Sequence, residues 1–208
     1  MNKVEYQELF AEKELTPVQV YREFWLFICF LSNFCPKMDT MIEVGIFRGG
    51  TFKFWHKFLS DNGILIGVDL NDRGCVPAVQ ERFKDDKRVK FVIGNSIAPE
   101  VIAQTEKELQ GRKADFIFID GNHERTHVKA DFDKYRGFIR KGGIIAFHDL
   151  VNENIVPLWN EAIKDDEFQS YIEFRGKEPG IGVLIKKVDI PNSEELKKEG
   201  FSLKNTRG

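Results

Sequence analysis

Cysteine is scarce, and its spacing suits neither of the structural jobs it might do. Cys29, Cys35 and Cys75 are three in number and no two form a Cys-x-x-Cys pair, so neither a disulfide framework nor a zinc ribbon is expected. Reduced intracellular thiols are the simplest reading. An excess of one charge is also missing. The 31 Lys and Arg stand against 33 Asp and Glu, a formal net charge of -2, which withholds the attraction that non-specific binding to phosphate backbones requires and argues against nucleic acid as a partner. Long apolar runs are absent too. The richest, Phe24 to Phe34, is broken by Ser32 and Asn33 and reaches about half of the roughly 20 residues of a membrane span, so it reads as a buried helix. The opening residues mix Lys3 and Lys13 with Glu5, Glu8 and Glu12, where a secretory signal would show a basic head and then an apolar run. A cytoplasmic protein with no membrane partner is expected.

What the chain does have is enough apolar material for one substantial core: 208 residues, 42% hydrophobic, with 19 Phe. Residues 1–190 read as one domain, with 1–38 a helical cap and 39–190 a sheet core, and 191–208 read as a polar tail. In the cap, the apolar spacing from Val18 to Leu31 predicts a helix with Thr16 as N-cap and Pro17 in its first turn. From Met41 onward short apolar runs alternate with amphipathic stretches. The runs are Met41 to Gly45, Ile64 to Leu70, Val89 to Gly94, Phe116 to Asp120 and Gly143 to Phe147. The stretches between, Thr51 to Leu59, Val76 to Phe83, Pro99 to Leu109 and Glu124 to Ile139, are long enough for right-handed crossover helices. A helix near Val156 to Ile163 and two strands, Tyr171 to Phe174 and Ile181 to Lys186, joined through Pro179-Gly180, complete the pattern. The fold class is therefore α/β: a doubly wound, mostly parallel seven-stranded sheet with an antiparallel C-terminal hairpin.

The first strand ends Glu43-Val44-Gly45-Ile46-Phe47-Arg48-Gly49-Gly50-Thr51, a glycine turn at which a ligand can approach backbone N–H groups. A dinucleotide fold would place glycine at position 47 so that a pyrophosphate can touch the backbone, and Phe47 stands there instead. Glu43 would place a negative charge near the turn, unwelcome to phosphate and suited to a cationic amino acid or sulfonium. Asp69 closes the second strand, where a carboxylate can accept both hydroxyls of a ribose. Asn95-Ser96 end the third, a polar exit that could line an adenine pocket at the carboxyl edge of the sheet. Such a turn also serves as a mere tight connection, and a strand-end acid as a solvated one.

In Glu43-x-Gly45-x-x-x-Gly49-Gly50-Thr51, Asp69 and Asn95-Ser96, the segment from Met41 to Asp149 resembles the cofactor motifs of class I S-adenosylmethionine-dependent methyltransferases. The resemblance implies a Rossmann-like methyltransferase fold with those residues on the cofactor.

A second group gathers at the same edge. The fourth strand delivers Asp120 and, after Gly121-Asn122, His123; the fifth ends His148-Asp149. Neighbouring strand ends bring the two carboxylates together, as a divalent metal with oxygen ligands would want. The bland reading is a helix N-cap for Asp120 and a surface position for His123. These segments are similar to the methyltransferases that include cephalosporin-hydroxylase-like and macrolide-sugar O-methyltransferases, with an Ile-Asp-Gly-x-His segment and a later acidic pair around magnesium. By that resemblance Asp120 and Asp149 hold Mg2+ or Mn2+, the metal holds an acceptor hydroxyl, and His123 removes its proton. His148 stands where an acid is common, and three roles fit it: ligand to a softer ion, orienter of the substrate, or hydrogen-bond partner under the sheet edge. His123-Glu124-Arg125-Thr126-His127 also satisfies the His-Glu-x-x-His pattern of zinc proteases, but it follows directly on a strand and a Gly-Asn turn instead of lying within a helix.

The function implied is O-methylation of a hydroxyl on a small molecule or sugar. A scaffold of the same fold that binds the nucleotide without turnover is the alternative. A homo-oligomer buried through the aromatic helix around Phe24, Trp25 and Phe27 is compatible with either.

Overall fold

The computed structural model describes residues 1–174 and 180–188. Five strands, β1 (Met38–Val44), β2 (Leu59–Asp69), β3 (Val89–Ile93), β4 (Ala114–Ile119) and β5 (Ile139–Phe147), pair in parallel, and β6 (Phe168–Phe174) and β7 (Ile181–Lys186) are antiparallel, in the order β3-β2-β1-β4-β5-β7-β6. Strand order reverses between β1 and β4, the position at which open α/β sheets leave a crevice for a ligand. Three bonds carry the ladder to that edge: Gly45 N–H to the Val68 carbonyl (2.8 Å), Asp120 N–H to Val44 (2.8 Å) and His148 N–H to Ile119 (3.1 Å). The ends of four strands are thereby fixed relative to one another.

Alternation along each strand divides the core between two faces. Met41, Phe116, Phe118, Ile144 and Ala146 meet the aromatic side, with Phe27 and Trp55. Ile42, Val44, Ile117, Ile145 and Phe147 face the other, with Phe132, Tyr135 and Trp159. The first face is covered by α1 (Lys3–Ala11), α2 (Tyr21–Phe34), α3 (Phe52–Phe58) and α4 (Val76–Phe83), the second by α5 (Pro99–Leu109), α6 (Arg125–Tyr135) and α7 (Ile155–Ala162), with a short 3-10 turn at Arg136–Phe138 between α6 and β5. Among the described residues no helix is long and apolar enough to cross a membrane.

The seven-stranded doubly wound sheet with its antiparallel finish is the fold expected, and the bounds of α4, α5 and β7 coincide with those read from the sequence. The N-terminal cap differs. Its helix begins at Tyr21 with Val20 as N-cap, and Thr16 caps nothing: its hydroxyl donates to the Lys13 carbonyl at 3.1 Å. A tertiary contact decides this. Residues 16–20 form a non-helical segment against the glycine turn, so close that a Cβ on Gly50 would stand 2.4 Å from Pro17 Cα. A separate helix, α1, precedes them, held by a capping box in which Asn2 accepts from Val4 and Glu5 N–H and Glu5 accepts from Asn2 N–H. Pro179 of the expected hairpin loop and the tail 191–208 lie outside the described residues.

Candidate active site

The glycine turn closes over the carboxyl edge with the geometry its residues demand. Gly45 has φ +91°, and a Cβ there would sit 2.2 Å from the Asp120 carbonyl oxygen, so no side chain fits. Phe47, also left-handed at φ +48°, presents its ring to the cavity with the Arg48 and Arg73 guanidinium carbons 5.0 and 5.2 Å from its centroid. What holds Phe47 there is Asp69. Its Oδ2 accepts from Ile46 and Phe47 N–H at 2.8 and 2.9 Å, and its Oδ1 from Asn71 N–H at 2.6 Å. A carboxylate offers about four acceptor positions, so Asp69 keeps room for one further hydroxyl, where the sequence suggested two.

Glu43 is placed differently from the expectation. It is fully buried under the turn on the aromatic face and does not line the cavity; its Oε1 accepts a hydrogen bond from Thr51 Oγ1. Burial drives its carboxyl well above the usual range, more than the Thr51 bond restrains it. Glu43 thus braces the turn from below and does not face the cavity. Asn95 and Ser96 do line the cavity. The Ser96 hydroxyl is 3.3 Å from His127 Nε2, and its carbonyl accepts from Tyr135 OH at 3.1 Å.

The second group converges as expected. His123 Nε2 is 2.7 Å from Asp149 Oδ2 and 3.7 Å from Asp120 Oδ1, and His148 Nδ1 is 3.3 Å from each of those same oxygens. Asp149, at φ +58°, takes a left-handed backbone that Asp tolerates better than most residues. The charges hold one another. Asp120 and Asp149 raise His123 to about 9, the closer contact being Asp149. Burial would strip the proton from His148, but the two carboxylates outweigh it and push this ring to about 10. In return, and against their own burial, both carboxyls are depressed. Among the described residues, Asp120, His123 and Asp149 form a set whose ligand atoms all lie within 4.8 Å of one another. His148 is not one of that set; it is buried, with its Nδ1 in reach of both carboxylates.

The zinc-protease reading fails on position. His123 precedes α6, whose N-cap is Glu124, and the two histidines serve different partners, His123 the Asp149 carboxylate and His127 the Ser96 hydroxyl. Asp120 is likewise no helix cap.

Sequence reasoning missed two polar residues beside the cavity. Gln19, 6% exposed, donates from Nε2 to Asp120 Oδ2 at 3.1 Å, while its Oε1 makes no hydrogen bond among the described residues. Asp131 of α6, fully buried, has neither oxygen hydrogen-bonded among the described residues. Burial pushes it up to about 6, with the Ser96 hydroxyl and the His127 ring restraining the rise. Gln19 lies between two valines and matches no motif. Asp131 had a signal, since it falls at helical spacing between the apolar Val128 and Tyr135.

The cavity between these groups measures about 650 Å3, within the ~300–1,000 Å3 of small-molecule sites. It runs from the turn past Asp69 and Asn95 to Asp120 and His123. A sheet of this order with a ligand crevice at its reversal, a non-phosphate glycine turn and a strand-end acid defines a class I S-adenosylmethionine-dependent methyltransferase.

Comparison with known proteins gives the same answer. Residues 42–150, just over half of the chain, match the family described as a methyltransferase domain, and the chain belongs to that family. A relative, the uncharacterised protein R132 of Acanthamoeba polyphaga mimivirus, is 27% identical over 157 residues, 70% of this chain and 69% of its own. The O-methyltransferase from Bacillus cereus, solved with S-adenosylhomocysteine, is 15% identical with a TM-score of 0.64 over 89% of this chain and 92% of that one. MycE methyltransferase of the mycinamycin biosynthetic pathway, solved with Mg, S-adenosylhomocysteine and mycinamycin VI, gives 0.64 at 16% identity over 89% of this chain and 56% of that one.

Proposed function

We propose that this methyltransferase acts on oxygen, methylating a hydroxyl of a small molecule or sugar in the cytoplasm with the help of a divalent metal. The observation that carries the reading is the meeting of Asp120, His123 and Asp149 at the cavity edge, in ligand spacing, next to the glycine turn. The names of the structural neighbours, which include O-methyltransferases and one bound to Mg, support it.

When bound, S-adenosylmethionine would supply a methyl whose bond to sulfur breaks as its bond to the acceptor oxygen forms, with S-adenosylhomocysteine as the leaving group and the hydroxyl proton passing to solvent water. The chain's part is to bind and align. Gly45 and Gly50 line the cavity and would bring the backbone to the cofactor, with Gly49 packed on Val79 and Thr51 and Glu43 bracing the turn. Asp69 takes one ribose hydroxyl while fixing the turn, and Asn95 and Ser96 border the base. Alignment of this kind is worth about 7–11 kcal/mol of a barrier in well-oriented systems, and no covalent enzyme intermediate is required.

Two carboxylates and one imidazole are a donor set that Mn2+ or Mg2+ accepts. Asp120, His123 and Asp149 would hold the ion, whose contribution is to lower the pKa of the hydroxyl it binds. The spacing favours His123 as third ligand over the free base that the sequence suggested, and His148 as the group that orients both carboxylates over a ligand of its own.

Titration calorimetry of the purified protein with S-adenosylhomocysteine tests the cofactor, and absence of binding by well-folded protein sinks the reading. Turnover of hydroxylated metabolites with labelled cofactor should stop with chelator and return with Mn2+ or Mg2+. Turnover that ignores chelator removes the metal.

A further inference from the structure

Gln19 is the one cavity-lining side chain of the N-terminal segment that is both buried and half-satisfied. The segment is held at both ends. Pro17 is pressed on Gly50 as described, and the carbonyl of Tyr21, where α2 begins, accepts from Tyr6 OH at 2.6 Å. Between these anchors Gln19 has little freedom. Its amide orientation is set by chemistry: Asp120 Oδ2 faces it, a carboxylate only accepts, and the NH2 must therefore point to Asp120. The 3.1 Å bond leaves Oε1 of this cavity-lining residue buried and without a donor among the described residues. A buried acceptor without a donor costs about 1–3 kcal/mol, so its persistence is best explained by a group that arrives with a ligand.

We propose that Gln19 is a positioning residue of the transfer site, its Oε1 accepting a hydrogen bond from an O–H or N–H group held where the methyl passes to the acceptor. The location follows from the anchor. Asp120 belongs to the cluster that meets the reacting oxygen, and the amide spans from that carboxylate into the cavity. The carboxylate on the far side of the amide polarises it, so a cationic donor on Oε1 gains most. The inference rests on the methyl-transfer reading and adds to it a requirement on the acceptor, that the group to be methylated arrives carrying a proton.

The test compares two cofactor analogues by calorimetry. S-adenosylhomocysteine has nothing at the methyl position, whereas sinefungin, otherwise alike, carries an amine there. Gln19→Met, close in length and without polar atoms, should leave S-adenosylhomocysteine affinity within about twofold and weaken sinefungin about tenfold or more, the loss of one hydrogen bond to a charged group. Gln19→Asn, which keeps the amide but withdraws it by one methylene, should also weaken sinefungin selectively, whereas a packing role would weaken both analogues alike. Equal loss of both analogues in Gln19→Met, with unchanged thermal unfolding, would overturn the proposal, since Oε1 would then serve the amino-acid part that the two share. No change in either would overturn it as well. Failure of the unaltered protein to bind either analogue would remove the methyl-transfer reading itself.

Discussion

At the scale of single residues, two buried carboxyls distinguish bracing from catalysis. Burial favours the protonated form of Glu43 under the glycine turn, so its amide isostere should serve as well: Glu43→Gln is expected to keep its melting temperature within about 2 °C and its affinity for S-adenosylhomocysteine. Glu43→Ala, which leaves Thr51 without its acceptor and opens space in a packed core, should lose about 2 kcal/mol in urea unfolding. A Gln variant as unstable as the Ala variant would mean that the group is charged. Asp131 titrates in the opposite sense to an ion-paired acid. Its folded value of about 6 lies above the ~3.9 of an unfolded Asp, so the native state binds more protons between these values and stability falls as pH rises through that window. Asp131→Asn should therefore gain on the parent protein by about 2 kcal/mol between pH 4 and 7.5. Urea midpoints with a constant offset across that range would refute it.

At the scale of elements, most of the fold was legible because period and length decide it. The crossover helices α4 and α5 and the strand β7 were readable to the residue, each bounded by its own local signals. The site was legible wherever it hangs on the ends of strands: once β4 and β5 are neighbours, Asp120, His123, His148 and Asp149 must meet. Residues that depend on one distant contact were not. Thr16-Pro17 carries the local signature of a helix start, yet that stretch is non-helical where it meets Gly50 and Asp120 from elsewhere in the chain. Gln19 was invisible for the same reason. Nor could the pattern say that Asp69 spends three acceptor positions on its own loop, or that Glu43 is fully buried away from the cavity. The point where β4 meets the turn is the least forgiving. Gly45→Ala puts a methyl against the Asp120 carbonyl at a positive φ, and an unfolding free energy lower by about 3 kcal/mol or more is expected; a loss below 1 kcal/mol would mean that this contact is looser than described.

At the scale of the whole molecule, cofactor binding and folding are one equilibrium. A ligand that binds only the native state at about 100 times its dissociation constant adds about 2.7 kcal/mol, and for a chain of this size that is about 5–10 °C in melting temperature. S-adenosylhomocysteine should produce such a shift in scanning calorimetry, and none at saturating concentration would contradict the site. The order of the sheet also has a consequence during synthesis. β7 is the last described strand in the chain, yet it lies between β5 and β6, so β6 has no place in the sheet until β7 has arrived. A nascent chain on the ribosome thus waits with Ile144–Phe147 of β5 as a bare hydrogen-bonding edge, and that edge closes when the residues through Lys186 emerge and pair with it. A premature stop before Ile181 would leave a product that carries every residue of the proposed metal centre and still exposes a strand to its neighbours.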